Sequence, residues 1–100
     1  MITTTVNYRI ATGDRSLEGQ ALVQTPDGEA WLVFKASYDD EDCIDFNRQW
    51  EGFDKLDKSG SLDTTVHPKL ILINGRPVGC IIIVFYYNGE VSSHILQVNL

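Results

Sequence analysis

Residues 39–57 read Asp39-Asp40-Glu41-Asp42-Cys43-Ile44-Asp45-Phe46-Asn47-Arg48-Gln49-Trp50-Glu51-Gly52-Phe53-Asp54-Lys55-Leu56-Asp57. Cys43, Phe46, Trp50, Phe53 and Asp57 fall three or four apart, which is the spacing of one face of a helix. The spacing predicts a short helix with Phe46, Trp50 and Phe53 as its buried stripe. Asp40, Glu41 or Asp42 caps its start, where negative charge suits the positive end of the helix dipole. Asp42 and Asp45 have the spacing of a capping box. Lys55 and Lys58 suit the other end, and Gly60 is a natural stop. Gly52 weakens the middle by about 1 kcal/mol relative to alanine, so this helix depends on packing. Ile44 projects away from the stripe.

Outward from this segment, both flanks read as strands. On the N-terminal side, Val6, Tyr8 and Ile10 alternate with Asn7 and Arg9, as in a half-buried strand. Gly13-Asp14-Arg15-Ser16 is a turn, and a second strand runs near Gln20 to Thr25. Pro26-Asp27-Gly28 is a strong turn signal, with glycine at positive φ. The third strand, Ala30 to Tyr38, puts Leu32, Phe34, Ala36 and Tyr38 on one face and Trp31, Val33 and Lys35 on the other. On the C-terminal side, Ser59 to Pro68 reads as a loop and Lys69 to Ile73 as a strand. Asn74-Gly75 and Asn88-Gly89 are type I′ hairpin signals, and Pro77 implies an irregular strand entry. Cys80 to Tyr87 has no polar interruption, as in a strand covered on both faces. The last strand runs from Glu90 to about Val98. The expectation is an α+β fold: a curved antiparallel sheet of about six strands, three before and three after one short helix.

The segment also holds the whole charge imbalance. Residues 39–57 contain eight acids and only two bases, Arg48 and Lys55, for a net charge of −6. The full chain of 100 residues carries the same −6, because its other acids and bases cancel. A localised negative face projects a field. The low pI and the scatter of Arg9, Arg15, Lys35, Lys69 and Arg76 weigh against nucleic acid and anionic membranes. A basic protein is the direct electrostatic complement. The length predicts a single domain over residues 1–100. No run of about 18 apolar residues occurs, and Met1 to Thr5 lacks the basic and apolar regions of a signal peptide. A cytoplasmic protein with Cys43 and Cys80 as reduced thiols is expected.

Catalytic patterns are missing. His67, His94, Cys43 and Cys80 have no metal-ligand spacing, and no phosphate loop is present. The run Asp39-Asp40-Glu41-Asp42 lacks the alternating ligands, glycine and closing glutamate of a calcium loop. No catalytic residue, metal or cofactor is expected. Residues expected to meet a partner are Tyr38, Asp39, Asp40, Glu41, Asp42, Asp45 and Glu51, with Tyr38 and Trp31 as exposed aromatic contacts.

From about Ala30 onward the order of features resembles one family. A strand ends in Ser37-Tyr38, an acidic link follows from Asp39 to Asp45, and a short helix carries a central Trp50. Then come Gly60-Ser61-Leu62, paired strands and Asn88-Gly89. This looks like the small immunity proteins of bacterial contact-dependent growth-inhibition systems. The resemblance implies an acidic protein that binds and neutralises a toxin domain, often a nuclease with a basic cleft.

The leading expectation is therefore a small acidic non-enzymatic inhibitor of a basic protein, an immunity protein against a bacterial toxin domain. A phage-encoded inhibitor of a bacterial defence nuclease has the same physics. The alternatives from other classes are a small ligand-binding or enzymatic domain with a sheet–helix pocket, and a structural subunit that self-associates through an exposed strand edge.

Overall fold

The computed structural model describes residues 2–11, 15–39, 41, 43–52 and 62–99. Among the described residues seven strands follow one another: β1 (Thr3–Ile10), β2 (Ser16–Thr25), β3 (Gly28–Tyr38), β4 (Ile44–Glu51), β5 (Asp63–Ile73), β6 (Arg76–Tyr87) and β7 (Glu90–Asn99). They form two antiparallel meanders, β1-β2-β3-β4 and β5-β6-β7. The fold is all-β, and no helix occurs among the described residues.

This corrects the α+β expectation at one element. The segment read as a helix forms β4, paired to β3 from Trp31↔Glu51 to Tyr38↔Ile44. The physical reason lies in a second period within the same residues. Ile44, Phe46 and Trp50 alternate with Asp45, Asn47, Gln49 and Glu51, and a separation of four fits a strand face as well as a helix face. Phe46 and Trp50 do pack against the core, as a buried stripe requires, but they do so from a strand, and Ile44 joins them instead of projecting away. Gly52 stands just past β4 at φ 76°, where it ends the strand. The expected helix positions from Phe53 to Gly60 lie outside the described residues.

The strand readings on either side hold, with longer ends. β5 begins at Asp63, inside the stretch read as a loop. Both Asn-Gly pairs take positive φ at both residues, 52° and 76° at Asn74-Gly75 and 50° and 81° at Asn88-Gly89. Those are the angles that let a two-residue turn match strand twist. Pro77 disturbs nothing, because it pairs with Leu72 at a point that β7 does not reach.

The inner faces of the two meanders share one core. Leu17, Ala21, Val23, Leu32, Phe34 and Ala36 come from the first sheet, and Ile81, Ile83, Phe85, Leu96 and Val98 from the second. Trp50 meets Phe85 edge-on at 6.3 Å between ring centroids, and Phe34 stacks on Phe46 at 5.9 Å. Along one side, β1 lies beside β7 and is tied to it through side chains. Thr4 Oγ1 is 2.5 Å from Ser92 Oγ and 2.6 Å from His94 Nε2. The Ile2 amide donates to Glu90 Oε2, and the Gln97 amide donates to the Tyr8 hydroxyl.

Candidate protein-docking site

The loop between β3 and β4 carries the acidic run. Asp39 organises it. Its Oδ1 accepts from the amides of Glu41 at 2.8 Å and Cys43 at 3.0 Å, and its own amide donates to the Cys43 carbonyl at 3.0 Å. This is the local side-chain-to-backbone bonding that aspartate favours in turns. Arg15 anchors the loop from outside by donating to the Asp39 carbonyl at 3.0 Å. One expected docking acid is therefore committed to holding the loop. Glu41, Asp45 and Glu51 are exposed. Asp45 and Glu51 mark the two ends of the outward row of β4, since they pair with Ser37 and Trp31 of the outward row of β3. Asp40 and Asp42 lie outside the described residues.

Tyr38 differs from its expected role. Its side chain is 7% exposed and belongs to the core, so the ring does not offer an exposed contact. Its ring lies against Gly79 of β6, where a Cβ would collide with Cε2, Cζ and the hydroxyl oxygen. The missing side chain at Gly79 is what lets the two sheets approach here. Burial, with Cys80 nearby, pushes the Tyr38 phenol above its ordinary pKa. Trp31, on the outward row, is half-buried.

A feature that the sequence reading missed stands beside the acidic loop. Tyr38 and Ile44 share a small cleft of about 160 Å³ with Pro68, Lys69 and Leu70 of β5. Beyond this cleft the β5–β6 hairpin continues to its Asn74-Gly75 turn with four consecutive aliphatics exposed: Leu70 48%, Ile71 37%, Leu72 71% and Ile73 44%. Register places Leu70 and Leu72 in the inward row with Gly79 and Pro77. They therefore project from the side of the hairpin that carries Pro68 beside the acidic loop. The signal available in the sequence was the uninterrupted Leu70-Ile71-Leu72-Ile73 run itself. It implies cover on both sides of a strand, and at the hairpin tip the described residues do not supply that cover.

A larger trough of about 790 Å³ crosses the outward face of the first sheet. It runs between two rows of side chains, Arg9-Glu18-Lys35-Asn47 and Asn7-Gln20-Val33-Gln49. Among its charged groups, Arg9 Nε donates to Glu18 Oε1 at 2.8 Å, Lys35 is opposite Glu18 in register, and Arg48 also lines the trough. The hydrogen bond from Arg9, then its charge, holds the Glu18 carboxyl below the usual range. The trough contains no nucleophile beside a base. Among the described residues no three His, Cys, Asp or Glu side chains gather as metal ligands would. Cys43 is exposed and Cys80 buried, both as free thiols. No described helix is long and apolar enough to cross a membrane.

Comparison of the chain with protein-family models, curated proteins and solved structures gave no match.

Proposed function

We propose that this chain is a non-enzymatic inhibitor that docks on a basic protein, of the kind exemplified by immunity proteins against bacterial toxin domains. One observation carries the reading. The acidic β3–β4 loop lies next to a projecting apolar hairpin, so one end of the molecule combines charge to steer an encounter with aliphatic anchors to hold it. The exposed carboxylates of Glu41 and Asp45 would meet the cations with which a nuclease cleft binds phosphates. Leu70 and Leu72 would enter apolar surface beside that cleft. Occlusion is the mechanism, and it requires no group to be activated.

The geometry changes how this should be tested. Replacing Asp39 would open the loop, so the reversal belongs at Glu41 and Asp45, with Asp39 kept. The partners to screen are basic toxin domains of contact-dependent growth-inhibition systems, starting with any whose gene adjoins this one. Glu41→Lys with Asp45→Lys should weaken binding at least 100-fold while the far-ultraviolet circular dichroism stays that of the wild type. Leu72→Asp should do the same through the anchor. Wild-type association should also slow as salt rises, since exposed charges are screened beyond about 10 Å at 0.1 M salt. Unchanged affinity in both folded variants would remove this end of the molecule as the interface.

A further inference from the structure

We infer that the outward face of the β5-β6-β7 sheet is the contact surface for a second copy of this chain. β6 is apolar on both sides, and only its inner row, from Ile81 to Tyr87, is covered by the first sheet. On its other side Val78 and Cys80 are buried, but Ile82 and Val84 are only half-buried. Register sets Val91 and Ile95 of β7 opposite Tyr86 and Ile82, and Ile71 of β5 opposite Val78. Val91 and Ile95 are each 60% exposed, Tyr86 38%. The result is an apolar band across three strands on one face.

Three arguments select a second copy as the occupant. The first is area. The open side chains of this face, from Ile71 through Tyr86 to Val91 and Ile95, make the apolar part of the roughly 800 Å² per partner that a standard interface buries. The flanking polar rim would supply the remainder. The second is charge. The charged side chains of the outward rows are Asp63 and Lys69 on the β5 edge and Arg76 beside the Asn74-Gly75 turn, so the centre of the face repels nothing. Two acidic chains can meet there while their acidic loops, which belong to the other sheet, stay apart. The third is geometry. A two-fold axis through Ser93 would set Val91 of one copy against Ile95 of the other, so that small residues face each other at the axis and large ones interlock around it. Such self-complementarity is what an isologous dimer requires. Pairing through the free β5 edge is disfavoured by contrast. Counting in twos from the pair that closes the Asn74-Gly75 turn, Pro68 falls at a position whose nitrogen points away from β6, so the edge lacks a donor there.

The docking end is a different surface, formed by the inward row of the hairpin tip and the β3–β4 loop, so the dimer and the proposed function are separable. The test is mass in solution by sedimentation equilibrium over a range of concentrations. The wild type should reach twice its 11.2 kDa chain mass. Val91→Glu with Ile95→Glu should raise the dissociation constant at least 100-fold without changing the circular dichroism. Val33→Glu, on the exposed face of the other sheet, should leave it unchanged. A wild type that stays monomeric at about 100 µM, or a dimer that survives the double variant, would overturn the inference.

Discussion

Tyr38 shows how one residue serves packing where its type suggests contact. Its ring fills the space left by Gly79, and its hydroxyl is buried with no hydrogen-bond partner. A buried polar group without a partner costs about 1–3 kcal/mol. Tyr38→Phe keeps the ring and removes the cost, so it should raise stability by about 1 kcal/mol, read from the urea midpoint. The same substitution should change the alkaline limit. Because the folded pKa of Tyr38 lies above the unfolded value, the neutral phenol is favoured in the folded protein. Its contribution is whole below the unfolded value, near 10, and is lost as pH rises through the folded value. The Phe variant should lose stability less steeply above pH about 10. A variant clearly less stable than the wild type at neutral pH would mean that the hydroxyl has a partner.

At the scale of the element, β4 decides the fold class. It is an edge strand, bonded to β3 on one side. Counting from the Asp39–Cys43 bond, the amides of Asn47 and Gln49 point at β3, while those of Phe46 and Arg48 point outward. Amide exchange should therefore alternate, slow at Asn47 and Gln49 and fast at Phe46 and Arg48. A helix would protect successive amides, so a continuous protected run through these residues would contradict a strand. The packing makes a second demand. Trp50 is half-buried and meets Phe85 edge-on. Trp50→Ala should cost about 2–4 kcal/mol in chemical denaturation, toward the lower end of large-to-small aromatic replacements because the side chain is not fully enclosed. A stable Trp50→Ala protein that failed only in partner binding would make Trp50 an anchor instead.

At the scale of the whole molecule, the first and last strands meet without a backbone ladder. Side chains close that seam, and Thr4 is its centre because one hydroxyl serves both Ser92 and His94. Thr4→Val preserves the shape of the side chain but leaves both partners short of a bond. It should cost about 1–3 kcal/mol, measured by denaturant unfolding. No loss of stability would mean that core packing alone holds the sheets together.

The chain alone determined most of the strands, because period-two alternation and Asn-Gly turns are local signals. Val6 to Ile10, Ala30 to Tyr38 and the two hairpins all follow from neighbours in sequence. It also determined where the charge lies, since the acids of residues 39–57 are simply counted. It could not decide β4. Phe46 and Trp50 are four apart, a separation common to both periods, and only pairing with β3 selects the strand. Nor could it place Tyr38 in the core, which needs the distant Gly79. The apolar run from Leu70 to Ile73 was visible, but its exposure was not. Whether an aliphatic strand is covered depends on which other strands reach it, and here the first sheet and β7 both stop short of the hairpin tip. Burial is a property of the assembled sheets, so the site formed by the acidic loop and this hairpin exists only in three dimensions.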